Sequence, residues 1–135
     1  MAERSEADWN ELAAEGRRIL QGVARQEGLI DYGDFNKELG EATGLPTFDL
    51  SSERGRADIS QLLVRIHERE WEDGNEYMLT SLVKLFGENY PGKGFFTLAR
   101  QEGLYDPESE PEVEFWSRMV SLAHQAHKRV RHVRD

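Results

Sequence analysis

The chain has 135 residues, no cysteine and a formal net charge of -9. That length matches one domain with a modest core, and the missing thiols exclude disulfides, thiolate metal sites and cysteine nucleophiles. The negative field opposes broad contact with phosphate backbones or anionic lipid, so any nucleic-acid contact has to be local.

The residues that follow Met1-Ala2-Glu3-Arg4 hold no continuous apolar run. Neither a signal peptide nor a membrane span is expected, and the chain reads as soluble and cytoplasmic. From Ser5 to Glu27, Trp9, Leu12, Ile19, Leu20 and Val23 recur at helical spacing, with Gly28 as the stop signal. Leu29-Ile30-Asp31-Tyr32 predicts a small strand, and Gly33-Asp34-Phe35 turns it into a short helix ending near Gly40 or Gly44. Leu45 to Gly55 carries Pro46, Asp49, Ser51 and Ser52 and reads as a long loop. A third helix is predicted over 56–70, where Ile59, Leu62, Leu63 and Ile66 make an i, i+3, i+4, i+7 stripe.

After Asp73-Gly74-Asn75, the apolar run from Tyr77 to Phe86 favours a strand, with a helix as the alternative. Gly87 to Gly94 interrupts regular structure, and Phe95-Phe96 begins either a return strand, which would close a hairpin, or a helix through Leu98 and Ala99. An acidic connector over 102–112, broken by Pro107 and Pro111, leads to a last helix over 113–135 carrying Val113, Trp116, Met119, Val120, Ala123 and Val130. The expectation is a mainly α (α+β) chain folded as one domain over 1–135. It comprises a winged-helix-like core over 30–96 with a small β-hairpin, and a long C-terminal helix.

That order of elements is shared by winged helices, whose third helix often enters a DNA groove, and by protein-docking modules. The residues Ile30-Asp31-Tyr32-Gly33-Asp34-Phe35, followed by Arg56-Ala57, resemble the DNA-binding half of alkylguanine-DNA alkyltransferases and their inactive alkyltransferase-like relatives, over about half the chain. The resemblance implies that Tyr32 presses on a phosphate and that Arg56 fills the space of a flipped base. Thr80-Ser81-Leu82-Val83 stands where that family has Pro-Cys-His-Arg. Without the thiol and its activating imidazole, alkyl transfer is excluded. A second pattern, Tyr32-Gly33, Leu62, Ile66, Leu79 to Val83 and Pro91-Gly92-Lys93-Gly94-Phe95-Phe96 with Leu98-Ala99, is similar to small uncharacterised bacterial proteins and carries no function with it.

The candidate contact residues for DNA or a partner are Tyr32, Arg54, Arg56, Gln61, Arg65, Lys84 and Lys93, interleaved with Glu53, Glu68 and Glu70. The plainer reading of the same stripe is a solvated helix face. Gly92-Lys93-Gly94 lacks the spacing of a P-loop and reads as a turn. His124, His127 and His132 include an i, i+3 pair without an acidic third ligand, so no metal is expected; they and the neighbouring cations suit a helix C-terminus. His67-Glu68 fails as a zinc-protease motif because Trp71 stands where the second histidine is required. Trp71 is the interface candidate. No cofactor is expected, and the function read from the residues is non-enzymatic binding of another macromolecule, with DNA binding or a regulatory role as its forms. The alternatives are an acidic adaptor for a basic protein, or a small hydrolase with an undisplayed site.

Overall fold

The computed structural model describes residues 4–128. Among the described residues the chain is mainly helical, with five α-helices, a short 3₁₀ turn and two strands of two residues each. Helix α1 spans Glu6–Arg25 and starts with a capping box, in which Ser5 Oγ accepts from the Asp8 amide and the Asp8 carboxylate accepts from the Ser5 amide. That exchange satisfies two donors that a bare helix start leaves orphaned. Helix α1 stops at Arg25, and the residue in the left-handed region is Glu27 (φ 54°), one position before the glycine expected to end it.

Strand β1, Ile30–Asp31, feeds straight into helix α2, Tyr32–Thr43, because Asp31 accepts from the Asp34 amide at 2.8 Å as its N-cap. Gly44, at φ 71°, closes α2 in the left-handed conformation that glycine adopts without a Cβ penalty. The loop that follows is held by Asn36, a buried side chain that donates to the Phe48 carbonyl at 2.8 Å and accepts from the Phe48 amide at 2.9 Å. Helix α3 spans Glu53–Glu72, longer at both ends than its apolar stripe alone predicts, with Ser52 as its cap. Ile59, Leu62, Leu63 and Ile66 are all buried in one cluster with Leu12, Leu20, Phe35 and Leu39.

The segment 77–86 corrects the expected strand and hairpin. Tyr77 to Val83 is buried throughout, Leu79–Leu82 is a 3₁₀ turn, and only Val83–Lys84 is a strand, β2. Strand β2 pairs in parallel with β1, Ile30 opposite Val83 and Asp31 opposite Lys84, whereas a hairpin is antiparallel. The physical reason is burial. A run enclosed on every side needs no alternation, and the two-residue β1 is its only partner among the described residues. Phe95-Phe96 belongs not to a return strand but to helix α4, Lys93–Gln101, which starts from Gly92. The connector leads into helix α5, Glu112–Ala126, whose Trp116 indole donates to the Ser81 carbonyl at 2.8 Å and so locks α5 over the 3₁₀ turn. The remainder of the predicted C-terminal helix, with Val130, His132 and the basic tail, lies outside the described residues. No helix among them is long and apolar enough to cross a membrane.

Candidate functional site

Helices α3 and α4 lie side by side and run in the same direction. A Cβ on Gly94 would come within 4.0 Å of Ser60, and His67 Nε2 lies 3.6 Å from Glu102 Oε1, so both chains advance together. Their dipoles therefore point the same way, with α4 beginning level with Ser60, about two turns after the start of α3. Between them opens a cleft of about 330 Å³. Its apolar lining comes from Ala57, Leu63, Val64, Phe95 and Leu98, and its polar groups from Tyr32, Ser60, Gln61, Thr80, Thr97 and Gln101. None of these side chains is charged.

Tyr32 reaches the cleft from the first residue of α2, and its placement explains Gly92. A Cβ at Gly92 would approach the Tyr32 hydroxyl to 3.0 Å, so a bare backbone is what lets α4 begin against the ring. Burial raises the Tyr32 hydroxyl above the ordinary tyrosine value, which keeps it a neutral donor and acceptor. Thr80 comes from the 3₁₀ turn, is 4 % exposed, and its Oγ1 has no hydrogen-bond partner. A buried hydroxyl left unpaired costs roughly 1–3 kcal/mol, a cost carried in the 3₁₀ turn that backs the cleft. Chemically the cleft is suited to holding a neutral, flat or branched group by contact and a few hydrogen bonds.

The seven candidate residues do not all converge. Tyr32 and Gln61 meet in the cleft, and Lys93 is exposed at the start of α4. Arg54 and Arg56 are exposed on the first turn of α3, Arg54 beside Asp58 at 3.8 Å and Arg56 donating to the Leu50 carbonyl at 3.1 Å. Arg65 corrects the expected stripe. It turns to α1, pairs with Glu6 at 2.6 Å and lies over the Trp9 ring at 5.0 Å. Lys84 is likewise drawn aside, donating to the Glu88 carbonyl at 3.1 Å. Trp71 is 45 % exposed and stands against His67 with ring centroids 5.9 Å apart, which keeps it available as an edge contact. Thr80, Thr97 and Gln101 were missed. Reading 77–86 as a strand hid Thr80, while the four-residue step from Lys93 to Thr97 and on to Gln101 was a helical signal in plain view.

A second polar cluster joins the far end of α3 to α1 and α5. Glu70 is fully buried, pairs with Arg17 and accepts from Asn75 at 3.2 Å, while Arg17 also pairs with Asp73. The Tyr77 hydroxyl meets His127 Nε2 at 2.7 Å, and burial together with the Glu70 charge pushes it up to about 12. Here the buried carboxylate has its partners, so the arrangement reads as a structural tie. His124 meets the Gly28 carbonyl at 2.9 Å, and no group of three or more metal-ligating side chains is placed to hold an ion among the described residues.

Compared with known proteins, the chain matches no family model, no curated protein and no solved structure.

Proposed function

We propose that the chain is a non-enzymatic, winged-helix-like binding module that engages DNA with the N-terminal turns of α3 and α4. The observation that carries this reading is the parallel pairing of those helices around an open cleft, with Arg54 and Arg56 exposed on the first turn of α3 and Lys93 at the start of α4. Backbone amides and dipoles at helix starts favour phosphate oxygens, and guanidinium and ammonium groups add sequence-independent affinity. The resemblance to the alkyltransferase DNA-binding half supports the same assignment, since Tyr32 opens α2 directly after β1 and Arg56-Ala57 falls within the first turns of α3.

The test is fluorescence anisotropy of labelled duplex and single-stranded DNA with the parent, Arg56→Ala and Lys93→Ala proteins. Both variants are expected to bind several-fold more weakly while melting within about a degree of the parent, because both side chains are exposed. Equal affinity in all three, or no binding by the parent at low salt, removes DNA and leaves a protein partner. An adaptor role for a basic protein is favoured by a separate observation, a solvent-facing phenylalanine amid carboxylates.

A further inference from the structure

Phe86 is 84 % exposed, the most exposed large apolar side chain among the described residues. Slack in the chain does not explain it. The Leu85 amide donates to the Tyr90 carbonyl at 2.9 Å and the Glu88 amide to the Leu85 carbonyl at 3.1 Å. The turn between them uses Gly87 at φ 74°, where any side chain would be strained. Lys84 Nζ ties the Glu88 carbonyl from below. Tyr90 anchors the far side. Its hydroxyl donates to Glu112 at 2.5 Å, and its ring packs near Phe96 and Trp116 at centroid distances of 5.6 and 6.1 Å. The tip therefore presents an aromatic ring from a braced turn, with Leu85 at 37 % and, across the Tyr90–Glu112 bond, Val113 at 50 % exposure.

The charge around this tip is predominantly negative. Glu88 lies in the turn, Glu112 and Glu114 open α5, and Asp106, Glu108 and Glu110 precede them in the connector. Against these six carboxylates stand Lys84, which donates to the Glu88 carbonyl, Arg118, which pairs with Glu110, and Lys93 beyond the turn, so the carboxylates outnumber the cations two to one. Anionic lipid and nucleic acid are repelled from such a surface, and a second copy of the chain would bring the same carboxylates face to face. An apolar tip within a carboxylate field is complementary to an amphipathic helix whose apolar face is flanked by Lys and Arg.

We propose that the 85–90 turn and the start of α5 form a docking surface for a basic amphipathic helix of a partner protein, with Phe86 as its anchor. This site is independent of the α3–α4 face. The test titrates a labelled amphipathic Leu–Lys helix of about five turns, and its Leu–Glu counterpart, with the parent, Phe86→Ser and a Glu88→Gln/Glu114→Gln variant at physiological salt. The Leu–Lys helix is expected to bind the parent, to lose roughly tenfold or more in affinity with Phe86→Ser, as an anchor residue does, and to depend less steeply on salt with the double variant. Unchanged melting of Phe86→Ser shows that the loss is at the surface. Equal binding by parent and Phe86→Ser, comparable binding of the Leu–Glu helix, no binding at all, or a parent dimer that Phe86→Ser dissociates would each overturn the proposal. Phe86-dependent flotation with anionic vesicles would do the same.

Discussion

Burial of His67 between α3 and the end of α4 takes its imidazole out of water while neither ring nitrogen gains a hydrogen bond. Desolvation lowers its pKa below the ordinary 6.5, outweighing the nearby carboxylates of Glu102, Glu68 and Glu70, and His127 is lowered for the same first reason. The fold thus favours the neutral ring. A histidine with a depressed folded pKa contributes stability that is complete above its unfolded value and is lost as pH falls through the folded one. Thermal midpoints are therefore expected to decline from about pH 6.5 toward pH 5, above the window in which Glu6, Asp49 and Asp106, all held below their usual values by hydrogen bonds, begin to protonate. His67→Leu, close in volume, should flatten that decline in part, leaving the His127 contribution. An unaltered pH slope in the variant would show that His67 is not the group responsible. Nothing in the sequence marked this residue beyond a failed metal motif, because its burial depends on α4, which the sequence left undecided between helix and strand. Arg65 shows the converse. Its charge was legible, but its direction was decided by Glu6 and Trp9, about sixty positions away along the chain.

Elements were legible where one buried face meets solvent on the other. Helices α1, α2 and α3 follow their apolar spacing and their caps, and Gly44 ends α2 as anticipated. The run from Tyr77 defeated the same method because its enclosed part, 77–83, has no polar phase to read. The loop expected over 45–55 gives way to α3 already at Glu53, and how it shapes the start of that helix was not legible. There a Cβ on Gly55 would fall 1.8 Å from the Asp49 carbonyl oxygen, so the loop backbone lies directly on the helix. Glycine to alanine within a helix ordinarily stabilises by about 0.5–1 kcal/mol, and Gly22→Ala in α1, with only the flexible tip of Arg25 nearby at 3.8 Å, is expected to do so. Gly55→Ala should have the opposite sign. Its cost should exceed the roughly 1 kcal/mol lost when Ser52→Ala removes the cap, since the loop must be displaced as well. Urea titrations of the three variants supply the check. A Gly55→Ala protein as stable as the parent would mean that the loop does not rest on α3.

At the scale of the whole molecule, the net charge of -9 was legible at once, but its distribution was not. Arg65, paired with Glu6, and Lys84 are half-buried, whereas Arg54, Arg56 and Lys93 are exposed on the proposed DNA face, Arg54 3.8 Å from Asp58 and Arg56 donating to the Leu50 carbonyl. Three cations set a measurable quantity. Each phosphate neutralised contributes about -0.9 to the slope of log affinity against log salt, so the face described should give a slope near -2.7, or about a fortyfold loss between 50 and 200 mM salt. Arg56→Ala and Lys93→Ala should each reduce that slope by roughly 0.9. A parent slope approaching twice the expected value would require Arg65 and Lys84 to leave Glu6 and the Glu88 carbonyl for the DNA, which contradicts the face as assigned. Affinity indifferent to salt would remove phosphate contact from the mechanism, because an acidic chain can hold DNA only through cations that locally outweigh its field. The slope therefore distinguishes a local contact made by the α3–α4 face from one that recruits the rest of the surface.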